Sequence, residues 1–128
     1  MIRLLLDTCA FYWWDRGTAF SDAARRAVEG AATETFVSAA SAWEIVTKWR
    51  SGKQPEFGAL ASSFLEVIAA HSFHRLPLSV EHALHAANLP MHHRDPFDRM
   101  MIAQSLAENM PIVTPDAVFD RYGVARIW

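Results

Sequence analysis

The 128-residue sequence predicts a single α/β domain, a short and mainly parallel central sheet flanked by helices. Three observations carry that expectation. Ile2 to Leu6 is a short apolar run of the kind buried on both faces of a parallel sheet. Further short β-branched or aromatic runs alternate with helix-length segments along the chain, the pattern of right-handed β-α-β crossovers. The length suffices for one hydrophobic core and not for two ordinary domains, so residues 1–128 read as one unit without linker, repeat or low-complexity tract.

The elements follow in order. After the first strand, Asp7-Thr8 stop the apolar run and Cys9 to Trp14 make a short aromatic helix, broken at Asp15-Arg16-Gly17. Ser21-Asp22 open a helix through about Val28, which Gly30 ends. Thr35-Phe36-Val37 read as a second strand. Ser38 caps a helix to about Arg50, with Ala42, Ile45, Val46 and Trp49 as its apolar stripe and Ser51-Gly52 as its close. Phe57 to about Ala70 reads as one helix, because Leu60, Phe64, Leu65 and Ile68 repeat at three- and four-residue steps. Phe73 to Leu76 is a third strand stopped by Pro77, and Ser79 to Ala87 carries helix signals. A helix from Asp95 to Glu108 follows, then a fourth strand at Met110 to Thr114, a short helix at Asp116 to Tyr122, and a last strand at Val124 to Ile127.

Composition narrows the function classes. The chain is 52% apolar and 20% charged, which points to a globular protein and away from disorder. A net charge of −2 leaves no global basic footprint, so any nucleic-acid contact has to be local. Cys9, the single cysteine, has no internal partner and reads as a small core residue in a reduced compartment. No apolar run approaches membrane-spanning length, and a cytoplasmic protein is expected. The six histidines lack zinc-ligand spacing, and His92-His93 read as loop residues.

The chemistry lies in the acids. In a parallel α/β sheet the strand C-termini and helix N-termini share one edge, where ligands bind. Asp7, Glu44, Asp98 and Asp116 all fall there. Each also has a structural explanation: Asp7 and Asp116 as N-caps, Glu44 as the i,i+4 partner of Lys48, and Asp98 as a favourable charge in the first turn of the helix that Asp95 caps. Asp98, however, shares its helical stripe with Met101, Ile102 and Ser105, the face that meets the rest of the fold, and Asp95 lies one step back on it. A carboxylate directed inward needs a metal ion or a hydrogen-bond donor. Four like charges on one edge repel, and a hard divalent ion such as Mg²⁺ or Mn²⁺ supplies the counter-charge. Phosphodiester hydrolysis is the reaction class that such a site suits.

The motifs also resemble, in order and spacing, the PIN-domain ribonucleases, and among them the VapC-type toxins of toxin–antitoxin pairs. The matching pieces are Leu5-Leu6-Asp7-Thr8, then Ser38-Ala39-Ala40-Ser41-Ala42-Trp43-Glu44-Ile45. His93-Arg94-Asp95-Pro96-Phe97-Asp98-Arg99 with Ile102-Ala103-Gln104 is the third, and Val113-Thr114-Pro115-Asp116 the fourth. Together they span nearly the whole chain. The resemblance implies a PIN-like domain and a metal-dependent endoribonuclease in which Asp7, Glu44, Asp98 and Asp116 hold Mg²⁺ or Mn²⁺. Asp95 is a further candidate ligand, and Thr8 and Thr114 are supporting polar residues. Pro115 departs from the basic or polar residue of many relatives. The resemblance also implies a homodimer contact and a groove for an antitoxin segment, roles that could use part of the surplus of large aromatic rings.

RNA phosphates approaching an acidic pocket need cations at its rim. Arg94, Arg99 and Lys48, with Arg50, Lys53 and Arg121, stand closest in sequence. Two alternatives share the acidic edge: a PIN nuclease acting in RNA processing or on DNA, and a phosphoacceptor, Mg²⁺-binding signalling domain. The latter needs a lysine at a strand end, which the sequence does not offer.

Overall fold

The computed structural model describes residues 1–128. Five strands, β1 (Ile2–Leu6), β2 (Thr33–Ser38), β3 (His74–Leu76), β4 (Ile112–Val113) and β5 (Arg126–Ile127), form one sheet in the order β3-β2-β1-β4-β5. Every neighbouring pair is parallel. β1 is central, and its side chains alternate between two cores. Leu4 and Leu6 join Phe11, Val37, Ile45, Leu60 and Ile68 on one face, while Leu5 joins Met101, Ile102, Ile112 and Phe119 on the other.

The helices are α1 (Thr8–Arg16), α2 (Asp22–Glu29), α3 (Ala39–Arg50), α4 (Gly58–Ser62), α5 (Phe64–Ala70), α6 (Val80–Asn88) and α7 (Pro96–Glu108). The caps read from sequence are made: the side chains of Asp7, Ser21, Ser38, Ser79 and Asp95 each accept a first-turn amide. No helix is long and apolar enough to cross a membrane.

Four local readings need correction. The single helix expected over 57–70 is a 3₁₀ turn, Pro55–Phe57, followed by α4 and α5, with Ser63 between them out of helical geometry. The hydroxyls of Ser62 and Ser63 bond the carbonyls of Gly58 and Ala59, a competition that weakens a helix at that point. The break buries Leu60 and Ile68 but turns Leu65 out. On α3 the buried face is Ala40, Ser41, Glu44 and Ile45, so Trp49, expected in the apolar stripe, is exposed. Cys9 is likewise exposed, since α1 packs inward through Thr8, Ala10 and Phe11. Lastly, residues 117–122 form 3₁₀ rather than α turns.

Strand order reverses between β1 and β4, because β1 continues to β2 and β3 on one side and β4 to β5 on the other. Ligands of open α/β sheets bind beside the strand C-termini at such a switch point. Leu6 pairs with Val113 there, and the Asp7 amide donates to the Val113 carbonyl at 3.1 Å. Asp7 and Thr114 therefore leave the sheet side by side.

Candidate active site

Four chain segments bring their acids to that point. Asp7 is 5% exposed and its Oδ1 accepts the Ala10 amide at 2.7 Å. Burial, aided by the carboxylates of Glu44 and Asp116 and opposed by the Thr114 hydroxyl and the Ala10 amide, pushes its pKa up to about 7. Glu44 enters from the buried face of α3. The Thr8 hydroxyl donates to its Oε1 at 2.5 Å, and Lys48, one turn on, pairs with its Oε2. Ser41 lies 2.9 Å from Thr8, so α1 and α3 hold this carboxylate between them.

Asp95 and Asp98 come from the start of α7. Asp95 Oδ1 accepts the amides of Phe97 and Asp98 at 2.8 and 3.3 Å, while its Oδ2 receives Lys48 Nζ at 3.0 Å. Burial acts to raise its pKa, but Lys48 and the two amides outweigh it and hold the carboxyl below the usual range. Asp98 has no such cation of its own. Burial, with the carboxylates of Asp95, Glu44 and Asp7, pushes it up to about 8. Asp116 follows β4, its amide donating to Thr114 Oγ1 at 3.1 Å and its Oδ1 accepting the Val118 amide at 3.0 Å. Pro115 leaves this cap intact.

One participant was read differently from sequence. His93, expected to be a loop residue, places Nε2 2.9 Å from Asp98 Oδ2 and 3.0 Å from Asp116 Oδ2. The Asp95 amide points at its Nδ1 from 3.2 Å, so Nδ1 accepts and the ring proton sits on Nε2. His93 is thereby a donor bridging two acids. Its position within one helical turn of the Asp95–Asp98 pair was the available signal, and its histidine neighbour obscured it.

Two groups of ligand atoms lie within 4.8 Å of one another, Glu44 with Asp95 and Asp98, and His93 with Asp98 and Asp116. Asp98 belongs to both. Asp7 is in neither, yet its electrostatic coupling to Glu44, Asp98 and Asp116 places it beside them. Donors that are mostly carboxylate oxygens, with Asp7 and Asp98 raised toward neutrality by burial and by neighbouring carboxylates, suit a hard divalent cation.

The basic residues separate into distinct roles. Lys48 points inward to Glu44 and Asp95; burial opposes its charge, but the two carboxylates outweigh that and hold the ammonium above its ordinary range. Arg99, expected to meet RNA phosphates, is 7% exposed and donates instead to the carbonyls of Ala86, Ala87, Leu89, Pro90 and His93. It fastens the end of α6 to the start of α7 and leaves the list of phosphate contacts. Arg94, Arg50, Lys53 and Arg121 remain exposed.

The comparisons agree with this architecture. Two solved structures share the fold at 16% identity each. One is VapBC2 from Rickettsia felis bound to a DNA fragment from its promoter, with a TM-score of 0.69 over 98% of this chain and 97% of that one. The other is DNA-bound VapBC from Salmonella typhimurium, with a TM-score of 0.66 over 98% and 96%. A search of curated proteins finds no sequence match. The strand order also differs from the flavodoxin-like 2-1-3-4-5 of the phosphoacceptor alternative. The PIN domain profile matches residues 4–125, nearly the full chain, and with the acids gathered at its switch point this protein belongs to the PIN domain family.

Proposed function

We propose that the protein is a metal-dependent endoribonuclease of the VapC type, the toxin of a type II toxin–antitoxin pair. The observation that carries this reading is the convergence of Asp7, Glu44, Asp98 and Asp116 from four chain segments onto one sheet edge, where burial first and the neighbouring carboxylates second raise Asp7 to about 7 and Asp98 to about 8. These four would hold Mg²⁺ or Mn²⁺. Asp95, committed to Lys48 and to the α7 amides, steadies the pocket beside them. A bound divalent ion supplies an acidified water and charge stabilisation of the leaving oxygen of a phosphodiester.

The remaining work belongs to the chain. Asp7 and Asp116 each tie one oxygen to a backbone amide, and the second oxygen of Asp116 faces His93 within the pocket. Thr8 and Lys48 orient Glu44, and the Nε2 proton of His93 sets the spacing of Asp98 from Asp116. With that proton in place His93 is a positioning residue and not a general base. Arg94, exposed at the mouth, is the phosphate contact that this arrangement favours.

The proposed partners are an RNA substrate, a cognate antitoxin and a second copy of the chain, in a cytoplasmic setting. The likeness to VapBC structures supports the antitoxin. An apolar groove of about 290 Å³ between α3, α5 and β3, with Leu65 exposed beside it, supports a protein contact. Replacing Asp98 or Asp7 by Asn is expected to lower Mg²⁺- or Mn²⁺-dependent cleavage of structured RNA by roughly 100-fold or more, on the scale of losing one electrostatic group of a catalytic site. Full activity in either variant would defeat the assignment.

A further inference from the structure

Beside the acid pocket the surface opens into a trough of about 390 Å³, lined by Lys48, Lys53, Arg94, Asp95, Pro96 and Phe97. Its volume is at the lower end of small-ligand sites. Trp43 lies outside that lining but reaches it through Phe97, and it is 58% exposed although so large an apolar side chain gains by burial. The ring is not loose. It meets Phe97 edge-to-face, with centroids 5.2 Å apart and planes at 85°, and Lys48 Nζ lies 5.7 Å from the Phe97 centroid. Trp43 adjoins Glu44 in α3, and Phe97 lies between Asp95 and Asp98 in α7. The aromatic pair is thus held by the same two helices that carry the acids.

The cations of the trough are not equivalent. Lys48 is neutralised by Glu44 and Asp95, whereas the other Lys or Arg ion pair of the chain is that of Arg126 with Asp120. Lys53 and Arg94 are therefore unpaired cations facing an open trough. Two free cations in the trough, with an exposed indole reached through Phe97, match the two halves of a nucleotide, phosphate and base.

We propose that this trough seats one unpaired nucleotide of single-stranded RNA, its base on Trp43 and its phosphate between Lys53 and Arg94. The inference rests on the nuclease reading above and adds the residues that grip the substrate. A base within an A-form duplex has no free face to offer the indole, while a splayed or single-stranded base does. The charge complementarity favours a polyanion over a protein segment.

The test uses the full chain carrying Asp98→Asn, so that the probe survives, and a fluorescein-labelled single-stranded RNA octamer followed by anisotropy. Adding Trp43→Ala is expected to weaken binding roughly 5- to 100-fold, the range for losing one stacked base. Trp43→Phe, which keeps a π face, should retain most of the affinity. The same RNA annealed to its complement should bind less tightly and ignore position 43. Lys53→Ala or Arg94→Ala should each reduce the salt slope of binding by about 0.7.

Unchanged single-strand affinity in both Trp43 variants would overturn the proposal, as would an equal loss on the duplex. A wild-type dimer that Trp43→Ala converts to monomer in light scattering would assign the face to a second copy instead. Thermal melts check that the exposed site tolerates substitution. Failure of the nuclease reading looks different: wild-type protein would then cleave no RNA with metal, whereas failure of the platform alone leaves cleavage intact and the KM of Trp43→Ala unchanged.

Discussion

Capping and metal binding compete for a carboxylate only if it has one oxygen to give. Asp7 and Asp116 give only one oxygen to a helix-start amide, and Asp116 turns the other to His93 in the pocket, so the structural and chemical readings of these residues hold together. The strain falls on Asp98, whose charge is disfavoured first by burial and then by its negative neighbours, without a Lys or Arg paired to it. Its folded pKa of about 8, like the value of about 7 for Asp7, lies above that of an unfolded aspartate near 3.9. The folded state therefore holds protons that the unfolded chain has released. The stability contributed by these groups is full below about pH 4 and is lost as pH rises through 7 to 8. In EDTA, Asp98→Asn should consequently melt above wild type, with an advantage that grows between pH 5 and pH 8. A difference that stays flat across that range would show that Asp98 is not under charge strain.

At the same scale, Arg99 shows how one side chain can substitute for several backbone partners. Its guanidinium donates to carbonyls at and beyond the end of α6, so Arg99→Ala should cost about 1.5–3 kcal/mol in urea denaturation, the scale of losing hydrogen bonds from a charged donor. The salt slope of RNA binding should not change. Loss of slope with little loss of stability would return Arg99 to the phosphate contacts.

Among the elements, α7 carries most of the architecture. Its buried face holds Met101, Ile102 and Ser105, the stripe expected from spacing, together with fully buried Gln104. Gln104 Oε1 accepts the Ser38 hydroxyl at 2.6 Å and its Nε2 donates to the Pro77 carbonyl at 3.2 Å, so α7 ties the ends of β2 and β3 together. Gln104→Leu keeps the volume and removes both bonds. A loss of about 1–3 kcal/mol is expected, read from the urea midpoint at constant slope. α3 was legible in length and caps but not in facing. Its apolar residues suggested one stripe, yet the sheet switch point lies against Ser41 and Glu44, so the polar residues turned inward and Trp43 and Trp49 turned out. The 57–70 region misled for a related reason: its apolar repeat is continuous, but Ser63 leaves helical geometry where the hydroxyls of Ser62 and Ser63 compete for the carbonyls of the preceding turn.

For the whole molecule, the parallel order β3-β2-β1-β4-β5 turns separate local caps into a common pocket. Because that pocket concentrates negative charge, a divalent cation that binds the folded chain and not the unfolded one should raise the melting temperature. At a hundredfold excess over Kd the gain is about 2.7 kcal/mol. Mn²⁺ titrations followed by thermal melting should show the rise for wild type, its reversal by EDTA, and little or none for Asp98→Asn. An equal rise in that variant would place the cation elsewhere.

The sequence by itself determined most of the elements and their caps, the parallel α/β class and the sheet edge to which the acids go. Those signals are local: a cap is made within three residues, and a buried strand is apolar wherever its neighbours lie. Only the tertiary structure decided that Lys48 also reaches Asp95, that His93 bridges Asp98 to Asp116, that Arg99 turns inward and that Trp43 meets Phe97. Each of these depends on a partner from another segment. The free energy of a charge or a ring is set by what surrounds it in space, and that environment exists only once the sheet has brought the segments together.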